Sequence, residues 1–284
     1  MPTCEALARA SVAFNRPISA SYRHLGIAAA DFPETIGPGQ FVMVRPPFVT
    51  DPFLPRAFSI YRVLRADGES PVVEILYKIL GKGTQYLAQM DPGQALEILG
   101  PLGNSFTAPA AGLAVLVAGG IGVPPIAALA RVLAESRDSA SRDRTAIEVF
   151  LGGKTSDDIL CLQDFEAAGA LVHITTEDGS LGTRGLITDL LGPFLSSSRE
   201  PRAASRDLSP TIFTCGPPGM LSAVARLAEA YEIPCQTSVE ANMACGFGAC
   251  MGCAIEARSS GAGPAYKLVC KEGPVFDSRE LVWR

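Results

Sequence analysis

No apolar stretch in the sequence is long enough to cross a lipid bilayer. A membrane-spanning helix needs about 18 consecutive apolar residues, and the longest apolar candidate, residues 113–123, is interrupted by Gly119, Gly120 and Gly122. The N-terminal residues are amphipathic and lack the apolar region and cleavage site of a secretory signal. We therefore expect a cytoplasmic protein with no membrane partner.

Charged residues and histidines are also scarce. Only 19% of the 284 residues are charged, and 24 basic against 29 acidic side chains give a net charge of −5, which provides no cationic field for nucleic acid. His24 and His173 belong to no catalytic pattern and are expected to be structural. With 48% hydrophobic residues to bury, and about 150 residues per domain, the chain is expected to form two or three globular domains.

The order of hydrophobic segments indicates two kinds of domain. Residues 40–45, 57–64 and 72–80 are rich in Val, Ile, Phe and Tyr between Pro and Gly turns, which predicts an antiparallel β-barrel or sandwich. Further on, apolar strands alternate with helical segments, which predicts a parallel sheet with crossover helices. Two polar stretches, 136–145 and 196–209, are expected to be solvated loops.

The eight cysteines are unevenly distributed. Three lie far apart and are expected to be small buried or incidental side chains: Cys4, Cys161 and Cys235. Near the C-terminus, the chain becomes rich in Cys and Gly and too small to be held together by apolar burial alone. A bound inorganic group would supply the missing cross-links.

The C-terminal cysteines have the spacing of iron–sulfur ligands. Cys245, Cys250 and Cys253 form a C-x4-C-x2-C pattern, and Cys270 follows after sixteen further residues. This is the spacing of plant-type [2Fe–2S] ligands. The intervening glycines allow the loop to bend and to direct backbone N–H groups at the sulfurs: Gly246, Gly248 and Gly252. The alternatives are a structural zinc site, which more often uses two C-x2-C pairs, and ordinary buried thiols.

A flavin site is indicated by two short segments. Arg56 and Ser59 lie three residues apart on a predicted strand, where a guanidinium suits a pyrophosphate and a hydroxyl suits a polar flavin edge. Lys82 and Thr84 lie in a Gly-flanked turn that opens a predicted helix, whose N-terminus favours phosphate. The alternative is a surface arginine and a capping threonine.

A nicotinamide site is indicated by two turns after strands. The strand ending at Gly119 runs into Gly120-x-Gly122-x-x-Pro125, a dinucleotide-type loop with proline replacing the third glycine. Cys215–Gly216–Pro217 follows a later strand, at the edge where open α/β sheets bind ligands. The Cys215 thiol is expected to abut the nicotinamide ring, with turn packing as the alternative.

The order of these motifs resembles a known superfamily. RAFS, GKGT, GPLGN (100–104), AGGIGVPP, TCGPPGM and the cysteine pattern together resemble the ferredoxin-NADP reductases, with a cluster domain appended. VEANMACGFGACMGC, LVCKEGPVF and EDGSLGTRGLITDLL resemble in particular the electron-transfer subunits of type B dihydroorotate dehydrogenase. The likeness spans roughly residues 12–276 and does not cover 196–209.

The resemblance implies a multidomain β plus α/β fold. It implies a flavin-binding β-barrel at 12–108, an NAD-binding domain at 109–234 and a small [2Fe–2S] domain at 235–284. The residues implied to contact FAD are Arg56, Ala57, Phe58, Ser59, Leu76, Tyr77, Lys78, Gly83 and Thr84. Ala57 stands where the family usually has proline. The four clustered cysteines are implied to hold the cluster.

The resemblance also implies a partner. An FMN-containing catalytic subunit would oxidise dihydroorotate and pass electrons through [2Fe–2S] and FAD to NAD+, in a heterotetramer with two copies of each chain. No catalytic side chain is expected here, because the cofactors carry this chemistry. NAD is preferred over NADP by the likeness and by Asp157 and Asp158 near Lys154. The alternatives are the same role in a different NAD(P)H-dependent complex (ferredoxin:NADP reductase, sulfide dehydrogenase or hydrogenase) and a redox or iron sensor.

Overall fold

The computed structural model describes residues 8–33, 35–47, 51, 53–109, 111–138, 145–197, 209–259, 261 and 263–284. The chain forms two compact units. The β unit contains Met1–Ser105, Ala241–Ile255 and Lys267–Pro274. The α/β unit contains Phe106–Glu240, Glu256–Tyr266 and Val275–Arg284. The division of the sequence into three domains at 12–108, 109–234 and 235–284 remains a prediction.

The N-terminal part of the β unit forms a seven-stranded antiparallel sheet and one short helix. Its elements are β1 (Ala8–Pro17), β2 (Tyr22–Ala28), β3 (Phe41–Arg45), β4 (Arg56–Ser59), β5 (Arg62–Leu64), β6 (Val72–Lys78), α1 (Lys82–Ala88) and β7 (Ala95–Leu102). Alternate apolar residues of these strands face one core, among them Leu25, Val42, Val44, Ile75 and Ile98.

The sheet is open. Its strand order is β4-β3-β7-β1-β2-β6-β5, and among the described residues no ladder joins β4 to β5. The prediction of an antiparallel flavin-reductase-type β domain is confirmed, and in this structure its sheet does not close into a complete barrel. The predicted strand 57–64 is two strands, because the chain changes partner: Ile60 N–H donates to Gln40 O, and Tyr61 N–H donates to Glu74 O.

The α/β unit has a parallel sheet with helices, as the alternating pattern predicts. Its elements up to residue 238 are β8 (Leu113–Gly119), α2 (Val123–Asp138), β9 (Ala146–Gly153), α3 (Leu162–Ala167), β10 (Leu171–Thr176), β11 (Thr183–Arg184), α4 (Ile187–Ser197), β12 (Pro210–Cys215), α5 (Pro218–Ala230) and β13 (Cys235–Ser238). The strand order is β11-β10-β9-β8-β12-β13, which brings the carboxyl ends of β8 and β12 side by side.

The last part of the chain supplies short elements. These are β14 (Ala254–Ala257), β15 (Ala265–Leu268), α6 (Val269–Glu272) and β16 (Val275–Asp277). β14 pairs with β15, and β16 extends the parallel sheet as an antiparallel edge strand beside β13.

Two further sequence predictions concern loops and membrane spans. The polar stretches predicted as loops at 136–145 and 196–209 begin inside α2 and α4, and most of their remaining residues lie outside the described ones. Within the described ranges, no helix combines the length and the apolar character needed to cross a bilayer.

Candidate redox sites

The four clustered cysteines lie within the β unit and form two pairs. Cys245 and Cys250 are joined through the Cys250 backbone N–H, which donates to the Cys245 sulfur at 3.4 Å. Cys253 lies after the same loop and Cys270 in α6, and their Sγ atoms are 3.2 Å apart. The fold therefore brings together residues separated by up to 25 positions in the chain.

This pairing suits a binuclear cluster. Four thiolates hold a [2Fe–2S] cluster, two on each iron, and the structure provides two pairs of sulfurs. A zinc ion would instead need its ligands around one point. Among the described residues, no group of three or more His, Cys, Asp or Glu side chains has that arrangement. The cysteine set thus fits a cluster better than it fits a single ion.

Backbone N–H groups of the loop point at the sulfurs. Gly252 N–H donates to Cys250 Sγ at 3.4 Å, and Cys270 N–H donates to Cys253 Sγ at 3.5 Å. The loop can bend in this way because Gly246 and Gly248 have φ values of +84° and +89°, a region that favours glycine. Such donors stabilise negative charge on the sulfurs and raise the potential of a bound cluster.

The same donors control protonation of the thiols. Burial acts to raise the pKa of Cys245, but backbone N–H donors of Cys250, Phe247 and Ala249 outweigh it and lower the pKa to about 6. In contrast, burial and the neighbouring Cys253 raise the pKa of Cys270 to about 12. Phe247 and Ala249 were not predicted as contributors, although the four-residue gap between the first two cysteines supplies their N–H groups.

The residues proposed for the flavin phosphates lie next to each other. Arg56 begins β4, and its Nη1 donates to Leu54 O at 2.6 Å. The guanidinium lies against Gly83 in the first turn of α1, where an added Cβ would be 2.7 Å from Arg56 Nε. Glycine at position 83 therefore leaves space for the arginine beside the start of α1.

Thr84 has a local role in this turn. Its Oγ1 accepts hydrogen bonds from the N–H groups of Leu80 (2.9 Å) and Gly81 (3.1 Å). The Thr84 hydroxyl also donates to Gly81 O at 2.9 Å. The hydroxyl thus closes the turn that begins α1, which is the capping alternative of the sequence analysis. A contact of Thr84 with FAD stays a prediction.

The other flavin candidates face two sides of the sheet. Tyr77 is buried, its hydroxyl donates to Asn15 Oδ1 at 3.3 Å, and its ring centroid is 5.7 Å from that of Phe58. Burial raises the pKa of Tyr77 to about 12. Lys78 points the other way, with Nζ 4.8 Å from the centroid of the Tyr22 ring. The remaining candidates, Leu76, Ala57 and Ser59, lie on β6 and β4.

The two nicotinamide candidates meet at the carboxyl edge of the parallel sheet. An added Cβ at Gly122 would lie 2.5 Å from Cys215 O, and one at Gly216 would lie 3.0 Å from Gly119 N. Pro217 in turn touches Gly119, with Cδ 2.8 Å from an added Cβ there. The turn 119–122 and the turn 215–217 therefore approach each other closely, and the Met220 side chain packs against both Gly119 and Gly216.

The Cys215 side chain is buried, and the Asp158 carboxylate bonds to its own turn. Cys215 has no exposed surface, and burial strongly raises its pKa, so the thiol is neutral and packed within the sheet. Near Lys154, the Asp158 carboxylate accepts hydrogen bonds from the N–H groups of Lys154 (3.0 Å) and Thr155 (3.3 Å). Asp158 therefore closes its own turn, and the preference for NAD over NADP stays a prediction.

The fold and the sites define a nicotinamide-dependent oxidoreductase subunit with a ferredoxin-reductase fold and an iron–sulfur segment. Two family models match: the iron–sulfur cluster binding domain of dihydroorotate dehydrogenase B at residues 240–282, and the oxidoreductase NAD-binding domain at residues 116–226. A relative from Bacillus caldolyticus, a dihydroorotate dehydrogenase B (NAD(+)) electron transfer subunit, is 37% identical over 278 residues, covering 96% of this chain and 98% of the relative. A second such subunit, from Desulforamulus reducens, is 36% identical over 256 residues, covering 90% of both. The chain belongs to the family of dihydroorotate dehydrogenase B electron transfer subunits.

Solved structures agree on the fold. An NADH-dependent reduced ferredoxin-NADP oxidoreductase has a TM-score of 0.77 and 22% identity, covering 99% of this chain and 91% of the other. A ferredoxin reductase of carbazole 1,9a-dioxygenase has a TM-score of 0.64 and 22% identity, covering 82% and 68%. The predicted family and oxidoreductase class, and the cofactor set of [2Fe–2S], FAD and NAD, agree with these matches.

Proposed function

We propose that this chain is the electron-transfer subunit of a dihydroorotate dehydrogenase B in pyrimidine biosynthesis. It would pass electrons from a dihydroorotate-oxidising FMN partner to NAD+. One observation carries the proposal beyond family membership. The two cysteine pairs lie in the same compact unit as the sheet that bears Arg56–Ser59, so one body offers sites for two redox groups.

Each site has a defined part in this activity. When bound, the [2Fe–2S] cluster supplies one-electron transfer, and FAD supplies the exchange between single electrons and a hydride. Arg56 and the first turn of α1 would hold the flavin pyrophosphate, since a planar guanidinium meets two phosphate oxygens at once. The close turns 119–122 and 215–217 would bind the nicotinamide dinucleotide, because they lie at the carboxyl edge of the parallel sheet, where such sheets bind ligands.

The partner would be an FMN-containing catalytic subunit. This chain would contribute no side chain to dihydroorotate oxidation, because its sites fit redox cofactors and not that substrate. We propose an assembly of two copies of each subunit in the cytoplasm. The clustering of four unbridged cysteines at metal-ligand spacing supports a reducing compartment.

Anaerobic co-purification with the candidate FMN subunit tests the proposal. The complex should contain FAD, FMN, iron and acid-labile sulfide, and it should reduce NAD+ when dihydroorotate is added. Size-exclusion chromatography with light scattering measures the stoichiometry. A complex that holds the cofactors but gives no dihydroorotate-dependent NAD+ reduction would contradict the proposal.

A second candidate is a flavin and iron–sulfur subunit of another NAD(P)H-dependent complex. The observation that favours it is the fold similarity over 99% of this chain to a ferredoxin-NADP oxidoreductase. At 22% identity this similarity concerns the fold alone. Recovery of the chain with a different redox partner, and reduction of ferredoxin or NADP+ instead, would support this second candidate.

A further inference from the structure

The GPLGN segment, residues 100–104, has no role in the proposed function. It contains the end of β7 and the two residues that follow. Gly103 has a φ of +75°, and an added Cβ there would lie 2.5 Å from Pro274 Cδ and 2.7 Å from Gly273 O. Only glycine satisfies both this backbone conformation and this close approach. The end of β7 therefore packs directly on residues 273–274.

Asn104 makes two hydrogen bonds to the same stretch of chain. Its backbone N–H donates to Gly273 O at 2.7 Å, and its side-chain Nδ2 donates to Glu272 O at 3.0 Å. Glu272 is the last residue of α6. The final carbonyl groups of a helix receive no hydrogen bond from an N–H group of the same helix. Asn104 thus satisfies a carbonyl group that the short helix leaves free.

The helix held in this way carries Cys270. At its other end, the Glu272 carboxylate accepts from Leu268 N–H at 2.7 Å. Val269 N–H donates to Cys253 O at 3.2 Å, next to the Cys270 N–H bond to the Cys253 sulfur. Asn104 therefore secures one end of a single turn whose other contacts place Cys270 beside Cys253.

We propose that Gly103 and Asn104 are positioning residues for the [2Fe–2S] cluster. They hold α6 so that Cys270 keeps its place beside Cys253 and its N–H keeps its bond to the Cys253 sulfur. β7 pairs with β3, and β3 pairs with β4, so the sheet that carries Arg56 also positions the fourth cluster ligand. This inference rests on the proposed function, because it requires a cluster at the four cysteines.

Asn104→Asp and Asn104→Ala test the inference in the anaerobically purified complex. The aspartate has the size of asparagine but cannot donate to Glu272 O when ionised. We expect unchanged FAD content, about fivefold faster release of iron to a chelator, an altered EPR signal of the reduced cluster and a more negative midpoint potential. The potential should fall because a weaker N–H bond to sulfur stabilises the reduced cluster less. The matched control is Asn242→Asp, an exposed asparagine three residues before Cys245.

The outcomes separate this inference from the proposed function. If both Asn104 variants release iron at the wild-type rate with the wild-type EPR signal and potential, the positioning role is wrong and the proposed function stands. Loss of FAD in step with iron would also overturn it, since that indicates general unfolding of the β unit. If Asn242→Asp changes iron release, EPR signal and potential as much as Asn104→Asp does, the changes come from added negative charge and the inference is wrong. A wild-type complex without iron or sulfide would overturn the inference and the proposed function together.

Discussion

At the scale of single residues, the four cluster cysteines occupy unequal environments. Cys250 is exposed, whereas Cys253 and Cys270 are only 2% and 3% exposed. The loop N–H donors favour the thiolate of Cys245, and burial favours the thiol of Cys270. The thiolate of Cys245 is therefore favoured before metal binds, whereas Cys270 must lose its proton as metal enters.

This difference predicts how the cluster-free protein reacts with iodoacetamide. The thiolate is the reacting form, so the rate of Cys245 alkylation should rise with pH around a midpoint near 6. By pH 8 the rate should have levelled off, because nearly all of Cys245 is then thiolate. Cys270, with its pKa raised to about 12, should remain thiol and react slowly over this range. Peptide mass spectrometry after timed alkylation measures both. Equal reactivity of the two cysteines at pH 7 would contradict the prediction.

Arg56 provides a second residue-scale prediction. Arg56→Lys keeps the charge but removes the planar fork that would grip two phosphate oxygens. We expect FAD to bind about tenfold more weakly, a loss of about 1.4 kcal/mol, with iron content retained. Fluorescence of released flavin on dilution measures the affinity. Arg9→Lys, at an exposed position of β1, is the control and should behave as the wild type.

At the scale of elements, the carboxyl edge of the parallel sheet depends on contact between two turns. The turns follow β8 and β12, which lie next to each other although about 90 residues separate them in the sequence. Glycines at 119, 122 and 216 allow the two backbones to touch. The shape of the edge therefore depends on glycine at these three positions.

Gly122→Ala should disturb this edge. Its Cβ would lie 2.5 Å from Cys215 O, and a backbone atom cannot move away cheaply. We expect reduction of the bound flavin by NADH to slow at least about tenfold, with FAD and iron content unchanged, as followed by stopped-flow absorbance. Gly192→Ala in α4 is the control, because its Cβ would meet only Leu227 at an ordinary 3.9 Å. Equal rates in the two variants would contradict the prediction.

Sequence patterns predicted some elements better than others. The parallel sheet was predictable because buried strands are uniformly apolar and alternate with helices, as in β8 and α2. The strands β1 and β2 were not, since they mix polar and apolar residues around buried Tyr22 and Leu25. The break between β4 and β5 was also not predictable, because it arises from a change of pairing partner, which is a tertiary property.

At the scale of the whole molecule, activity should depend on association. The isolated chain, loaded with its cofactors, should oxidise NADH with ferricyanide as acceptor but should not oxidise dihydroorotate. The reason is that substrate chemistry is assigned to the partner subunit and cofactor chemistry to this chain. Steady-state assays with each donor test this directly. Dihydroorotate oxidation by the isolated chain would contradict the proposed function.

The sequence predicted which cofactors the candidate sites bind better than it predicted the contacts within those sites. Cysteine spacing and the order of motifs indicated the cofactors, because ligand type and loop length follow directly from their chemistry. The pairing of the Cys253 and Cys270 sulfurs and the bonds from Asn104 depend on distant segments meeting in space. Such contacts cannot be inferred from local sequence patterns.

The path of the last residues also has a consequence for biosynthesis. After completing β13, the chain returns to the β unit at Ala241–Ile255 and again at Lys267–Pro274, then ends in the α/β unit. Domains generally begin to fold from the N-terminus during translation. Here the β unit does not have all its residues until position 274 has left the ribosome, and the α/β unit not until position 284. Until residues 272–274 emerge, Gly103 and Asn104 lack their contacts with them. Iron–sulfur insertion must accordingly be a late event in the maturation of the chain.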